Sequence, residues 1–275
     1  MSVSLQVAAP AASHFDTLAE TYDSLFTDSL IGKAQRESVW QEMDRIFKPG
    51  QRILEINCGT GRDAMHLAQR GVSVVACDAS SGMIATAGQR LQLSAFEILV
   101  QFRQLATEQI ARLAEQGPFD GVLSNFAGIN CLQDLDGLAA DLERLVAPGG
   151  KAVLCLFGRA CAWEMLWYLA QGNPRKAFRR LRREGATANL GGVQDFHVTY
   201  PSVKTLQRIF SPGFRLKSWK GVGIAVPPSY LEFLARKFNR ALSAAVQADR
   251  CLSRTPGFRA LSDHVVLTFE RLATQ

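Results

Sequence analysis

The stretch ILEINCGTGRDA, residues 53–64, runs from apolar residues into a glycine-containing turn and then into a polar segment with helical spacing. The apolar part leads to Glu55, and Gly59 and Gly61 stand in the turn. A helix that starts directly after such a turn points its free N–H groups and the positive end of its dipole at the space above it. Glycine lets a ligand approach the backbone closely. The stretch therefore predicts a strand, a ligand-binding turn and a helix.

Strands and helices alternate over the first part of the chain. Residues 14–47 have helical spacing, and after residue 53 short apolar runs alternate with helical patterns as far as Gly158. Apolar strands that are separated by helices indicate a parallel sheet covered on both faces. The chain ends on DHVVLTFERL, residues 263–272, which has the pattern of an isolated strand. The pattern predicts an α/β, Rossmann-like, doubly wound fold.

The regular alternation stops after Gly158, where a helical and strongly basic segment begins. This block and a later amphipathic run have the character of insertions that build a helical lid over the core. We therefore expect a frayed N-terminus at 1–14, a cofactor-binding core with N-terminal helices at 15–158, a basic helical lid insertion at 159–200, and the remainder of the core at 201–275 with an inserted helix at 229–252.

The composition of the 275-residue chain is that of a globular protein, with 47% hydrophobic and 20% charged residues. No apolar run approaches the roughly 20 residues that span a bilayer, and the first residues carry no basic signal-peptide region. A cytoplasmic location is the expectation that follows. The six cysteines form no C-x-x-C pair and have no histidines at metal-ligand spacing, so neither a metal site nor a disulfide is predicted.

The net charge of +6 is concentrated in one segment, PRKAFRRLRREG at 174–185, which holds six basic residues and one acidic residue. Just before it, Trp163, Leu166, Trp167 and Tyr168 are spaced to form an apolar helix face. Three interpretations stay open: a solvated lid face, recognition of an acidic or lipid-like substrate, or peripheral contact of residues 163–183 with an anionic membrane surface. A nucleic-acid partner is not expected.

Two cofactors are compatible with the glycine turn, a hydride carrier or a methyl donor. The letters G-T-G-R-D-A from Gly59 fit the dinucleotide fingerprint, and Asp78, 17 residues after Gly61, is placed to accept ribose hydroxyls of either cofactor. Glu55 discriminates between them, because a carboxylate there would repel a pyrophosphate but attract the amino group of S-adenosylmethionine. The helical segment before the first strand and the isolated last strand also favour the methyl donor.

Residues 15–158 resemble the class I, S-adenosylmethionine-dependent small-molecule methyltransferases. The family loop E/D-x-G-x-G-x-G stands here as E-I-N-C-G-T-G, the region after the fourth strand as FDGVLSNFAGIN, and the P-G-G turn as residues 148–150. The opening FDTLAETYD resembles the N-terminal helix of quinone-type methyltransferases, F/Y-D-x-x-A-x-x-Y-D. The resemblance implies a seven-stranded sheet whose last strand is antiparallel, S-adenosyl-L-methionine as the cofactor, and methyl transfer as the reaction.

The resemblance also implies individual cofactor contacts. The implied set surrounds the aminoacyl group, the ribose, the adenine and the methionine portion, with Tyr22 as a cap: Tyr22, Glu55, Asn57, Cys58, Gly59, Gly61, Asp78, Ala79, Met83, Leu105, Ala106, Asn125, Phe126 and Ala127. Two positions depart from the family pattern. Asn57 replaces a glycine, although asparagine tolerates a left-handed backbone. After the third strand no acidic residue stands at the usual place, so Leu105 and Ala106 offer backbone contacts there or Glu108 substitutes.

The residues that would meet the acceptor are less defined. His197 and Tyr200 are the candidates for a catalytic role, and Asn130, Trp163, Trp167 and Tyr230 are candidate substrate contacts. His264, at the start of the last strand, is interpreted as structural. A sulfonium already activates its methyl group, so the protein mainly supplies alignment and exclusion of water. The alternatives are an NAD(P)-dependent oxidoreductase and a non-catalytic cofactor-binding protein.

Overall fold

A computed structural model describes residues 11–188 and 196–273 of the chain. Its N-terminal part is helical, as the spacing predicts: α1 is Ala11–Tyr22, a π-helical turn follows at Asp23–Thr27, and α2 is Leu30–Ile46. Of the expected frayed N-terminus, residues 1–10 lie outside the described residues, and a helix begins at residue 11. The boundaries between core and lid stay a prediction.

The described residues then form nine strands in chain order: β1 Arg52–Ile56, β2 Ser73–Asp78, β3 Val100–Gln104, β4 Phe119–Ser124, β5 Val146–Phe157, β6 Ala186–Ala188, β7 Phe196–Val198, β8 Phe214–Val222 and β9 His264–Arg271. Seven of them form one sheet in the order β3-β2-β1-β4-β5-β9-β8, and β6 and β7 form a separate hairpin. Strand β9 pairs antiparallel with both β5 and β8, whereas the pairs among β1 to β5 are parallel. The predicted doubly wound α/β fold with an antiparallel last strand is confirmed.

Helices cover both faces of the sheet. The connections between β1 and β5 contain α3 Arg62–Gln69, α4 Ser81–Gln92 and α5 Leu135–Leu145, together with 3₁₀ segments at Thr107–Gln116 and Gly128–Cys131. The sheet therefore contributes to two apolar clusters, one on each face, with Leu54 in one and Ile53 in the other. Ser80 caps α4, since its side chain accepts a hydrogen bond from the N–H of Met83.

The elements after β5 differ from the sequence prediction in detail. The expected basic helix is divided into α6 Ala162–Ala170, α7 Pro174–Ala177 and a 3₁₀ turn at Arg179–Leu181. Gly172, at φ +68°, ends the first piece in the left-handed conformation, and Pro174 starts the next. After α8, Val203–Phe210, the expected single helix at 229–252 is likewise a 3₁₀ turn at Ser229–Leu231, α9 Glu232–Lys237 and α10 Asn239–Leu252. The backbone of Phe238, at φ −123° and ψ 54°, separates α9 from α10.

Two further features bear on the expectations from sequence. All six cysteines carry free thiols. Within the described ranges, no helix combines the length and the hydrophobicity that crossing a membrane requires.

Candidate cofactor site

The candidate site lies at the carboxyl ends of the central parallel strands, where the order of the sheet reverses between β1 and β4. Such a crevice is the general ligand site of open α/β sheets. Glu55 is paired in register with Ala76 of β2 on one side and with Leu123 of β4 on the other. The loops that follow these three strands therefore converge around it.

The loop after β1 owes its shape to three residues with positive φ, namely Asn57 at 56°, Gly59 at 52° and Gly61 at 76°. The turn thus survives the replacement of glycine by Asn57, as predicted. The asparagine side chain also adds contacts that a glycine lacks. Its Oδ1 accepts a hydrogen bond of 2.8 Å from Oγ1 of Thr107, and its Nδ2 lies 3.4 Å from Oγ of Ser124. Asn57 therefore ties together the loops after β1, β3 and β4.

Gly61 has a packing role as well as a conformational one. A Cβ at this position would lie 2.5 Å from Cζ of Phe102 on β3 and 3.0 Å from the Cβ of Ala87 on α4. Any side chain here would push α3 away from the sheet, which is the close helix–strand approach that the fingerprint glycines permit.

Glu55 is a buried carboxyl group with an unused oxygen. Its exposed fraction is 1%, and its Oε2 has no hydrogen-bond partner among the described residues. Burial raises the pKa of Glu55 well above its ordinary value, the neighbouring Asp63 raises it further, and Arg36 acts in the opposite direction. A buried carboxylate with a free lone pair is stabilised by a cationic hydrogen-bond donor. This arrangement fits an ammonium group and disfavours a phosphate.

Asp63, in the first turn of α3, holds the wall of the site together. Its carboxylate accepts hydrogen bonds from Nη1 of Arg36 at 2.6 Å, Nε1 of Trp40 at 2.6 Å and Nδ2 of Asn125 at 2.9 Å. Asn125 in turn accepts from the N–H of Phe126 at 2.9 Å. The side chain predicted to contact cofactor is thus committed to positioning the loop after β4. The sequence analysis did not single out Asp63 or Arg36. The available signal was Asp63 itself, an acidic residue next to the glycine turn.

The loop after β4 is strained at two consecutive residues. Phe126 has φ 49° and Ala127 has φ 68°, both unusual for residues other than glycine. The guanidinium of Arg36 lies 4.6 Å from the centroid of the Phe126 ring, and the N–H of Ala127 donates to the carbonyl of Cys155 at 3.1 Å. Such strain is typical of functional sites. Phe126 and Ala127 are therefore the members of the predicted trio whose backbone is specially shaped.

Asp78 ends β2 beside the glycine turn. Its Oδ2 accepts from the N–H of Gly59 and its Oδ1 from the N–H of Ser80, both at 2.9 Å. Burial raises the pKa of Asp78. A carboxylate has about four acceptor positions, so these two bonds orient the group and leave lone pairs for the two hydroxyls of a ribose.

The FDTLAETYD motif is explained by two acids that fasten α1 to the site. Oδ1 of Asp16 accepts from Oγ of Ser80 at 2.6 Å and from the N–H of Gly82 at 2.9 Å, at the start of α4. A Cβ on Gly82 would lie 2.9 Å from the carbonyl oxygen of Asp16, so glycine is required for the two helices to approach. The first acid of the motif therefore fixes α1 on α4.

The second acid, Asp23, reaches the glycine turn. It accepts a 2.8 Å hydrogen bond from Oγ1 of Thr60 and forms ion pairs with Arg62 and Arg90. Tyr22 stands next to it and is half-buried. Burial raises the pKa of the Tyr22 hydroxyl, the positive charge of Arg36 lowers it, and the negative charge of Asp23 raises it. These contacts hold the predicted cap over the loops after β1 and β2.

The adenine side is less sharply defined. Leu105 donates its N–H to the carbonyl of Asp78 at 2.9 Å, and Ala106 begins the 3₁₀ segment. Met83 is 1% exposed and packs in the interior, so Ala79 is the more accessible of the two residues predicted to face adenine. Glu108 is exposed. Contact of these residues with a cofactor, as of Cys58 in the glycine turn, stays a prediction.

Asn130 has a structural role, and its predicted substrate contact gains no support from its position. It is fully buried, its Nδ2 donates to the carbonyl of Thr199 at 2.7 Å, and its Oδ1 accepts from the N–H of Phe157 at 2.9 Å. The side chain is thus occupied on both ends, because it joins the end of β5 to the segment after β7.

His264, which the sequence analysis interpreted as structural, lies at the end of β5 and beside the loop after β4. Its ring stacks on Phe157 with centroids 4.7 Å apart and meets Phe126 edge-on at 5.3 Å. Its Nδ1 lies 3.4 Å from Oδ2 of Asp263. The first residue of an antiparallel last strand falls at the carboxyl edge of β5, and only the strand pairing reveals this.

The two candidate catalytic residues differ in position. Tyr200 is 7% exposed, and its ring lies 6.2 Å from that of Phe157, on which His264 stacks. Burial raises the pKa of Tyr200, which keeps its hydroxyl protonated and makes it a donor and not a base. His197 is exposed on β7, opposite Thr187. A catalytic role for His197 gains no support from this position.

The lid is anchored by a buried ion-pair network. Glu164 of α6 pairs with Arg179 at 2.7 Å and with Arg180 at 2.9 Å, and Arg180 also pairs with Asp263 at 2.8 Å. Two of the six basic residues therefore face inward, so the segment is not solvated throughout.

The aromatic residues predicted to contact substrate help to hold the lid. Nε1 of Trp163 donates to the carbonyl of Ala225 at 3.0 Å. Trp167 lies with its ring 5.9 Å from Phe233, and Tyr230 lies 6.1 Å from Tyr168. Trp167 and Tyr230 thus contact other lid residues, and Trp163 contacts the segment after β8; a substrate contact for any of them stays a prediction.

Comparison with known proteins relates part of the core to a known domain. A family model described as a methyltransferase domain matches residues 53–150. A demethylmenaquinone methyltransferase from Streptomyces avermitilis is 33% identical over 150 residues, which cover 53% of this chain and 59% of the relative. A tRNA 5-carboxymethoxyuridine methyltransferase from Escherichia coli strain K12 is 28% identical over 148 residues, which cover 52% and 56%. The chain thus spans less than two thirds of the length of these relatives.

A solved structure extends the likeness to nearly the whole chain. The CcbJ methyltransferase from Streptomyces caelestis superposes with a TM-score of 0.61 over 95% of this chain and 99% of that one, at 16% identity. Identity this low shows the fold alone. Together with the domain match, it confirms the resemblance inferred from the sequence. Residues 53–150 therefore match a methyltransferase domain, and the chain has the fold seen in the class I, S-adenosylmethionine-dependent methyltransferases.

Proposed function

We propose that this chain is an S-adenosylmethionine-dependent methyltransferase that acts on a small-molecule or lipid-like acceptor in the cytoplasm. The observation that carries the proposal concerns Glu55, which stands just before the glycine turn. Its Oε2 is buried and has no hydrogen-bond partner among the described residues. An ammonium group is the donor that this oxygen requires, and the aminoacyl end of the cofactor supplies one. The methyltransferase domain match over residues 53–150 supports the same function.

The residues around Glu55 fit the rest of the cofactor. Asp78 would bind the ribose hydroxyls, the strained backbone of Phe126 and Ala127 would pass beneath the methionine portion, and Tyr22 would cover it. The cofactor supplies a methyl group that its sulfonium has already activated. The protein's own contribution is to bind the cofactor, to align the acceptor with the methyl group, and to exclude water.

The acceptor side favours a flat, largely apolar molecule. Phe157, His264 and Tyr200 bring three rings together at the end of β5. An aromatic acceptor would stack on such rings, and the imidazole of His264 would accept or donate a hydrogen bond at its polar edge. The name of the Streptomyces relative, a demethylmenaquinone methyltransferase, agrees with this substrate class. We therefore propose a ring-containing acceptor with an ionisable hydroxyl or carbon acid.

The test has two steps that separate cofactor from chemistry. A thermal-shift assay with S-adenosylhomocysteine and, separately, with NADH and NADPH identifies the cofactor; we expect a rise in Tm only with S-adenosylhomocysteine. Incubation with methyl-labelled S-adenosylmethionine and a cell extract, followed by identification of the labelled product, then identifies the acceptor. Stabilisation by NAD(P)H alone would instead establish the oxidoreductase alternative. Binding without any labelled product would establish a non-catalytic cofactor-binding protein.

A further inference from the structure

The outer side of α6 is apolar and exposed. Glu164 points inward, with 1% of its surface exposed and both oxygens in ion pairs. At 100° per residue, Leu166 and Leu169 stand about 200° and 140° around the helix from Glu164. They are 66% and 44% exposed. Helix α6 therefore buries a charged residue and exposes its leucines, whereas an ordinary surface helix buries its apolar side and exposes its charged side.

Exposed apolar side chains also lie on the neighbouring elements. Phe233 of α9 packs against Trp167 and is itself 52% exposed. The turn after α7 is joined to the inner side of α6, where Glu164 holds Arg179. That turn exposes Phe178 and Leu181 by 40% and 41%. We call these five residues the lid patch: Leu166, Leu169, Phe178, Leu181 and Phe233. Exposed apolar clusters of this kind mark interaction sites.

The rim of the lid patch is basic and unpaired. Arg175, Lys176, Arg182 and Arg183 are exposed, and within residues 11–188 and 196–273 no carboxylate lies within ion-pair distance of them. Glu184 is the single acidic residue of the 174–185 segment. Arg179 and Arg180 differ from these four residues because both form ion pairs with buried carboxylates. An unpaired positive rim around exposed Leu and Phe is complementary to anionic lipid headgroups above an acyl layer.

We propose that the lid patch and its basic rim dock the protein on the surface of an anionic lipid bilayer. The leucine and phenylalanine side chains enter the headgroup boundary, and the four basic side chains contact the lipid phosphates. Arg180 of the same segment is ion-paired with Asp263, the neighbour of His264, so the docking segment is joined to the start of β9. A lipid-like acceptor would then reach the site from the bilayer. The docking itself does not depend on the proposed methyl transfer.

Vesicle co-sedimentation tests the proposal. The full chain is mixed with phosphatidylcholine vesicles or with vesicles containing 30% phosphatidylglycerol, at low and at high salt. We expect binding to the anionic vesicles that salt weakens. Each rim charge near an anionic surface is worth about a fivefold change in affinity, so R182Q/R183Q binds about 30-fold more weakly. The matched control is K204Q/R208Q, which removes two exposed charges of α8 and keeps full binding.

A second pair of variants tests the apolar component. L166S/L169S removes two exposed leucine side chains and keeps the basic rim. We therefore expect an unchanged Tm and weaker binding to anionic vesicles, and we expect high salt to abolish the binding that remains. Equal binding of R182Q/R183Q and K204Q/R208Q would overturn the proposal, as would binding of a transfer-RNA mixture without binding of anionic vesicles. The thermal shift with S-adenosylhomocysteine is measured on every variant. A failure of docking therefore leaves that shift intact, whereas a failure of the proposed function abolishes it in the native protein.

Discussion

Replacement of Glu55 by glutamine separates ligand binding from folding. In the free protein the carboxyl is buried with an unused Oε2, so its ionised form opposes folding. In the complex the same oxygen would meet the ammonium group of the cofactor. E55Q keeps the shape of the side chain and removes the charge. We therefore expect a free protein that is at least as stable as the native one and a much weaker complex.

The magnitude follows from the contact that is lost. A hydrogen bond between charged groups is worth about 2–3 kcal/mol, so the affinity for S-adenosylhomocysteine falls about 30- to 150-fold. At a ligand concentration about 100 times the native Kd, binding stabilises the native protein by about 2.7 kcal/mol but the variant by only about 0.3–0.9 kcal/mol. For a chain of 275 residues, the ligand-induced rise in Tm then drops from about 5 °C to about 1 °C.

The pH dependence has a defined sign. Because the pKa of Glu55 is raised in the folded protein, its cost to stability begins above the ordinary glutamate value of about 4.3 and grows until the pH passes the folded pKa. Ammonium binding needs the carboxylate, so native affinity rises over the same window. E55Q lacks this rise in affinity.

Differential scanning fluorimetry with and without S-adenosylhomocysteine, across pH 5 to 9, measures both effects. The control is Glu115→Gln, which removes an exposed carboxylate near the amino end of β4, at the opposite edge of the sheet. We expect the control to keep the full ligand shift. A full shift in E55Q, or a marked loss of its stability without ligand, would refute the role assigned to the unused oxygen.

Three further substitutions test the site. Asn57→Gly keeps the left-handed turn but loses the 2.8 Å hydrogen bond from Thr107, and we expect urea denaturation to show a loss of about 1–2 kcal/mol; an unchanged midpoint would contradict the bridging role. Gly61→Ala places a Cβ 2.5 Å from Cζ of Phe102 at a residue with positive φ, and we expect the free energy of unfolding to fall by about 2–3 kcal/mol in the same assay. A smaller effect than that of Asn57→Gly would argue against close packing. His264→Ala should lower the rate of methyl transfer at least about tenfold and leave the Tm shift with S-adenosylhomocysteine intact, because the ring belongs to the proposed acceptor side. Loss of that Tm shift would assign His264 to cofactor binding.

Local signals were sufficient for part of the site. Strand β1, the glycine turn and α3 are adjacent in the chain, and the residues needed for the turn, including the left-handed Asn57, are set by backbone sterics. Contacts between distant segments were not accessible in this way. The bonds from Arg36 and Asn125 to Asp63 join residues that lie 27 and 62 positions away along the chain. No local pattern specifies such a pairing.

The lid shows the same limit more strongly. Composition revealed that charge is concentrated at 174–185, but not that Arg179 and Arg180 turn inward while their neighbours stay outside. That division depends on where Glu164 and Asp263 come to lie after folding. The break at Gly172 also turned an expected continuous helix into short pieces with different faces.

The sequence by itself determined the fold class, the order of strands and helices up to β5, and the chemistry of the turn that would hold the cofactor. These features depend on hydrophobic periodicity and on backbone conformations that few residue types adopt. Only the tertiary structure decided that Oε2 of Glu55 is left without a partner among the described residues, that Asn130 is occupied, and that His264 stacks on Phe157. Those properties follow from which distant groups meet in a buried place, and the direction of β9 sets much of that meeting.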